Sequence, residues 1–193
     1  MKLLEDRILS DGQVLPGEIL KIDNFLNHQI DVAFVDKLGE EFYRIFHDYN
    51  ITKILTVEAS GISVACAAAR QFGVPVVFAK KGQHKNVSSS CYTSEVYSYT
   101  KGTSYTMFAS SQYLNKEDHI LIIDDFLANG AASFGMMELI EKAGATLEGI
   151  GIVVEKGFQP GGKKLRNMGI KVASLAIVDS MTDDSVTFRE NDV

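Results

Sequence analysis

Between about Ile51 and Val178 the chain alternates short, nearly unbroken apolar runs with longer stretches whose apolar residues recur every three or four positions. The short runs are ITKILTV (51–57), VPVVFA (74–79), HILIID (119–124), GIGIVVE (149–155) and IKVASLAIV (170–178). Rich in Val and Ile, with no regular polar face, they predict parallel strands covered on both sides. The longer stretches start at Asp31 (DVAFVDKLGEEFYRIFHDY), after Gly61 (ISVACAAARQF) and after Gly130 (AASFGMMELIEKAG), and their spacing predicts helices. Gly73 and Gly144 stand where the second and third would stop. The alternation predicts an α/β fold, a mostly parallel sheet flanked by helices.

Two regions fall outside the alternation: residues 1–36 and residues 81–118. In the second, Tyr, Val, Thr and Phe on either side of Lys101-Gly102 predict a β-hairpin, while the polar run KGQHKNVSSS before it reads as a loop. A long polar connection inside an α/β domain is commonly an active-site lid. At 193 residues, one domain is the expectation.

Composition narrows the function classes. Apolar residues make up 46% and charged residues 23%, so the chain should fold around a core. With 19 basic and 25 acidic side chains the net charge is 19 − 25 = −6, which disfavours a nucleic-acid polymer as partner. No apolar run is long enough to cross a membrane, and the charged start MKLLEDRILSDGQ does not read as a signal peptide. Cys66 and Cys91 form neither a disulfide framework nor a zinc spacing, which makes a reduced, cytoplasmic protein the expectation. His28, His47, His84 and His119 show no ligand spacing, so no protein-held metal site is expected.

The densest chemistry lies at 120–135. Four apolar residues lead into Asp124 and Asp125, and a loop of small residues containing Gly130 runs straight into a helix. Carboxylates at the carboxyl end of a parallel strand face the ligand crevice of an open α/β sheet. A small-residue loop that opens a helix offers free N–H groups and the positive end of the helix dipole, which suits a phosphate. Hydroxyls on the acids and phosphate on the loop describe a sugar phosphate. Thr56 to Ile62 repeats the strand-to-helix logic, with Gly61 permitting close backbone approach. Gly157–Lys163 imitates the Gly-x-x-x-x-Gly-Lys of a P-loop, but Lys164 replaces the Ser or Thr that would hold magnesium, and the acid-tipped strand precedes the loop instead of following it.

The 120–135 segment resembles the 5-phosphoribosyl 1-pyrophosphate (PRPP) motif of the type I phosphoribosyltransferases. That resemblance implies their fold, with a small hood over the base site and a flexible lid loop. It implies that Asp124 and Asp125 contact the ribose hydroxyls and that Ala128, Asn129, Gly130, Ala131 and Ala132 hold the 5′-phosphate by their amides. Asn129, Ala131 and Ala132 stand where hydroxyl side chains often occur in the family. Glu58, Ala59, Ser60 and Gly61 match the family's pyrophosphate loop. Glu18 to Asp31 and Glu155 to Gly162 resemble a bacterial purine-salvage branch of the family whose acceptor base is xanthine. By position this implies base contacts from Leu20, Asn27 and Lys156, with Phe158 able to stack on the base. It also implies a hood built from about 1–36 and the region after 155, a lid over about 81–112 charged by Lys80, Lys81 and Lys85, Mg²⁺ bound with PRPP, and a homodimer. Hypoxanthine or guanine fits a single lysine contact as well as xanthine does. A non-catalytic PRPP-sensing regulator of the same fold would be expected to carry a DNA-binding domain, for which the stretch ahead of the hood leaves no room.

Overall fold

A computed structural model of the chain describes residues 1–82, 90–98, 102–182 and 185–190. The order of elements is α1 (Lys2–Asp11), β1 (Gln13–Leu15), β2 (Ile19–Lys21), one wide helical turn (Asp23–Asn27), α2 (Val32–Phe46), β3 (Lys53–Val57), α3 (Gly61–Phe72), β4 (Val76–Gly82), β5 (Cys91–Ser98), β6 (Thr103–Ser110), β7 (His119–Leu127), α4 (Ala131–Ala143), β8 (Thr146–Lys156), α5 (Pro160–Asn167), β9 (Val172–Met181) and β10 (Val186–Phe188). Among the described residues the main sheet has eight strands in the order β10-β9-β8-β7-β3-β4-β6-β5. The run from β9 to β4 is parallel, whereas β10 at one edge and the β6–β5 hairpin at the other are antiparallel. A separate two-stranded ribbon pairs β1 with β2.

The unbroken apolar runs have the expected cause. Along β7, Leu121 and Ile123 join the core beneath α2 and α3, while Ile120 and Ile122 join the core beneath α4. Both faces of the strand are therefore removed from water. Asp31 caps α2 by accepting the Phe34 N–H at 3.1 Å, and Gly73 and Gly144 end α3 and α4 in left-handed conformations. A side chain at Gly39 would place its Cβ 2.5 Å from the Ala67 backbone, so that glycine lets α2 and α3 touch.

Two expectations change in detail, and the N-terminal stretch outside the alternation takes a definite form. Residues 1–36 are structured: Leu4 and Ile8, one helical turn apart, bury α1 on the same core as α2. β7 runs past Asp124 to Leu127 because Phe126 and Leu127 continue the ladder with Val154 and Glu155 of β8, so the acids lie within the strand. Most of the 81–112 lid is sheet, since Cys91–Ser98 and Thr103–Ser110 pair along their whole lengths and β6 pairs with β4.

At the carboxyl end of β8, buried Glu155 receives both guanidinium nitrogens of Arg166 on α5 at 2.7 Å, and the Ser174 hydroxyl of β9. Burial pushes the Glu155 carboxyl up, but the hydrogen bonds from Arg166 and Ser174 outweigh it and hold the group below its ordinary value. Arg166→Met strands that carboxylate. Because Arg166 is 38% exposed, the expected loss is about 2–3 kcal/mol, below the roughly 3–5 kcal/mol of a fully buried pair, as read from the urea midpoint.

Candidate active site

The carboxyl ends of β3, β4 and β7 and the start of α4 bring together most of the residues singled out in the sequence. Asp124 is 4% exposed, and its Oδ1 accepts the backbone N–H of Asp125 at 3.0 Å. Burial raises its carboxyl well above the usual carboxylate range, the neighbouring Asp125 raises it further, and Lys81 opposes the shift. A Cβ at Gly61 would lie 2.3 Å from Thr56 Oγ1 and 3.1 Å from Asp124 Oδ1, so the β3–α3 loop passes directly over the acid only because residue 61 is glycine. Thr56 Oγ1 is buried and has no hydrogen-bond partner within the protein. In the same loop Glu58 accepts the backbone N–H of Lys81 at 2.8 Å, which ties the loop to β4, and the Glu58–Ala59 peptide is cis.

Gly130 precedes α4 at φ +87°, a left-handed conformation that side chains resist. No side chain caps α4 and its first turn carries no acid, so the amides of Ala131, Ala132 and Ser133 point outward unclaimed by the helix. They open on a cavity of about 380 Å³ lined by Phe126 and Leu127, the whole run Ala128–Ser133, and Lys81, Tyr97 and Tyr105 from the opposite wall. Uncapped amides at a positive helix end, with an ammonium facing them, suit an anion.

Tyr105 on β6 carried no sequence signal. The Lys81 ammonium stands 5.7 Å from its ring centre, and burial followed by the charge of Asp124 raises its phenol, keeping it neutral. Successive strand residues face opposite sides, which separates the two lysines of β4. Lys81 meets the cavity above, whereas Lys80 lines a different one with Lys53, Phe78, Phe108 and Tyr113, its ammonium 5.9 Å from the Phe78 ring centre. The expectation that Lys80 charges the same site is therefore corrected. Lys85 lies outside the described residues.

At the end of β8, the Lys156 ammonium donates to the Glu18 carbonyl in the β1–β2 turn at 2.7 Å. Burial lowers Lys156 from its ordinary value, with Glu18 acting against the shift. Leu20 is buried two residues beyond Glu18, and Asn27 closes the wide turn that follows β2. The Oδ1 of Asn27 is buried without a protein partner, as is the Oε1 of Gln159, a residue that sequence patterns did not single out. Phe158 is 37% exposed.

The imitation P-loop proves to be packing. Pro160 starts α5, Gly161 and Gly162 are buried, and the Gly161 N–H donates to the Ala128 carbonyl at 3.0 Å. Among the described residues no three His, Cys, Asp or Glu side chains gather where they could hold a metal. Two carboxylates beside an anion-binding loop do fit a magnesium ion that keeps waters and takes further oxygens from a bound diphosphate.

Comparison with known proteins agrees with this geometry. Residues 22–181 match the family model of the phosphoribosyl transferase domain. The chain belongs to the phosphoribosyltransferase family. It is 57% identical to the xanthine phosphoribosyltransferase of Ruminiclostridium cellulolyticum over 190 residues, which cover 98% of this chain and 100% of that one. It is 55% identical to that of Bifidobacterium adolescentis over 190 residues, 98% of each, and 48% identical to that of Bacillus cytotoxicus over 192 residues, covering 100% of this chain and 98% of that one. Among solved structures, the adenine phosphoribosyltransferase of Giardia lamblia with 9-deazaadenine has a TM-score of 0.77 at 21% identity, covering 92% of this chain and 98% of that one. The enzyme of Trypanosoma brucei with AMP, pyrophosphate and ribose-5-phosphate has a TM-score of 0.76 at 16% identity, covering 98% and 87%. These two likenesses concern the fold. Among the described residues no helix is long and apolar enough to cross a membrane.

Proposed function

We propose that this chain is a xanthine phosphoribosyltransferase, which moves the 5-phosphoribosyl group of PRPP to N9 of xanthine and releases pyrophosphate, in purine salvage. The observation that carries the phosphoribosyl half is the set of uncapped α4 amides facing Lys81 across one cavity, with Asp124 and Asp125 immediately preceding its Phe126 wall on β7. The xanthine half is supported by the whole-length similarity to xanthine enzymes.

In this reading the amides of Ala128–Ala132 hold the 5′-phosphate and the two acids hold the ribose hydroxyls. Glu58, Ala59, Ser60 and Gly61 form the loop that receives the pyrophosphate, with Gly61 letting it close over Asp124. Magnesium, held beside Asp124 and Asp125 through waters, would supply positive charge to the pyrophosphate; in the transfer the bond from the anomeric carbon to the leaving oxygen breaks and the bond to N9 forms. The residues supply position and field: fixed amides and Lys81, its ammonium beside the Tyr105 ring, meet the anionic groups without reorganising. The N9 lone pair becomes the new bond to the anomeric carbon and the N9 proton passes to the released pyrophosphate or to water, so no side chain is required as an obligate base. Residues 1–36 and the region after Glu155 form the hood over the base within a single domain, and the region of about 81–112 serves as a lid that excludes water. A cytoplasmic homodimer completes the proposal.

Leu20, Asn27 and Lys156 take the base. An ammonium donates to purine carbonyls and attracts a partly anionic xanthine ring, which an adenine amino group cannot match. Lys156→Gln is expected to raise the KM for xanthine about 10–100-fold while the KM for PRPP moves less than threefold, in steady-state assays of each substrate. Equal loss of both would remove Lys156 from base recognition. The deciding experiment for the activity is PRPP-dependent consumption of xanthine, guanine, hypoxanthine and adenine compared side by side. Xanthine should lead. Preference for guanine or hypoxanthine would make the chain a hypoxanthine/guanine enzyme, and no turnover of any base would favour a PRPP-binding regulator.

A further inference from the structure

The turn that carries Lys156 and the loop that faces the anion cavity are in direct backbone contact through one residue. The Gly161 N–H donates to the Ala128 carbonyl at 3.0 Å. A Cβ at Gly161 would lie 2.3 Å from that carbonyl oxygen, 2.7 Å from the Gly130 nitrogen and 2.8 Å from the Asn129 carbonyl carbon, all below the 3.0 Å that real Cβ atoms respect. Reciprocally, a Cβ at Gly130 would stand 3.3 Å from the Gly161 Cα. Both partners are backbone, so neither can swing aside as a flexible side chain would. The next residue faces elsewhere: a Cβ at Gly162 would meet Glu155 Oε1 at 1.9 Å and Arg166 Nη1 at 2.6 Å.

We infer that Gly161 is a positioning residue for the transfer reaction, bracing the 128–132 loop from the base side so that the amides sit where the 5′-phosphate arrives. The inference rests on the reading of 128–132 as the phosphate loop. Its physical basis is a contact that only glycine permits. A methyl group there must displace loop or helix by about 1 Å to restore ordinary carbon contact distances, and a misplacement of that size costs roughly 100-fold in a reaction that depends on position. The brace also makes the phosphate loop and the Lys156 turn a single mechanical unit, since α5 begins at Pro160 and the Gln159 N–H donates to the Lys156 carbonyl at 2.9 Å.

Gly162→Ala serves as the internal control, because it crowds the Glu155–Arg166 pair and leaves the loop alone. Gly161→Ala should lower kcat/KM for PRPP about 100-fold and weaken PRPP binding in calorimetry, while Gly162→Ala lowers the melting temperature and keeps the KM for PRPP within threefold of the parent. In the unaltered protein, hydrogen exchange at the Gly161 amide should slow when PRPP is added, a readout that needs no variant to fold. A folded Gly161→Ala with unchanged PRPP kinetics, equal kinetic effects of the two substitutions, or Gly161 exchange indifferent to PRPP would each overturn the brace. If Gly130→Val itself binds PRPP normally, the reading of 128–132 as the phosphate loop fails, and the brace with it.

Discussion

Gly130→Val is expected to reduce kcat/KM for PRPP by about 100- to 1000-fold while leaving a folded protein. At φ +87° a β-branched residue is strained by about 1–3 kcal/mol, and its Cβ would lie 3.0 Å from the Phe134 ring and 3.3 Å from Gly161. The backbone relaxes by turning Gly130 toward negative φ, which swings the following amides away from the cavity. Loss of one preorganised donor to a developing or bound anion commonly costs about 10²–10³ in rate. Gly130 is buried but belongs to neither apolar core, so far-ultraviolet circular dichroism should be unchanged. Steady-state kinetics over a PRPP series gives the answer, and turnover within threefold of the parent would remove the loop from the site.

Asp124→Asn is expected to move activity and stability in opposite directions. A carboxyl raised by burial keeps its proton in the folded chain to higher pH than in the unfolded chain, whose Asp titrates near the ordinary value of about 3.9. As pH climbs past that value the unfolded state gains charge freely, whereas the folded state must hold either a proton or a buried anion. The contribution is therefore fully favourable below about pH 4 and is lost as pH rises through the folded value. Asparagine occupies the same volume, can still accept the Asp125 N–H through Oδ1, and never ionises. The variant should melt a few degrees above the parent at pH 7, with the gap closing toward pH 4, since about 1 kcal/mol corresponds to roughly 2–4 °C for a chain of this size. Its turnover should fall at least about 100-fold, because an amide cannot give up a proton to become a charged acceptor for the ribose hydroxyls. Asp125→Ala should show a comparable catalytic loss without the gain in melting temperature. Scanning calorimetry at three pH values beside the assay tests both, and an Asp124→Asn protein less stable than the parent at pH 7 would refute the account of the buried acid.

The catalytic half of the molecule was readable from sequence because its signals are local. Five strands announced themselves as Val- and Ile-rich runs, and the acids and small-residue loop at 124–132 are contiguous, so chain order alone places them in the last part of a strand and at a helix start, though β7 runs on to Leu127. The hairpin around Lys101-Gly102 was visible for the same reason, with β5 and β6 flanking it. The hood was not. β1 and β2 are three residues each and the wide turn is five, too short for any period to emerge. Lys80 and Lys81 are indistinguishable as letters, and only the pairing of β4 with β6 assigns them to different faces. Gly161 was the hardest, because its role depends on a backbone contact with residues 128–130, and its sequence neighbourhood imitates an unrelated phosphate motif. Tyr105 needed the same long-range information, since its partners Lys81 and Asp124 lie on other strands.

The paired lysines of β4 also bear on how this edge tolerates change in chain length. Register here is held by the pairing of Lys80 with Phe108 and Lys81 with Met107, and by the grip of Glu58 on the Lys81 amide. A one-residue insertion upstream would push Lys80 into the place of Lys81 and still present an ammonium to the anion cavity, while Ala79 took the place of Lys80 and the aromatic cavity on the reverse face lost one of its two lysines. A one-residue deletion would bring Gly82 to the place of Lys81 and leave the anion cavity without an ammonium. The strand is thus buffered against lengthening and exposed to shortening, an asymmetry that indel variants between Val74 and Ala79 would reveal.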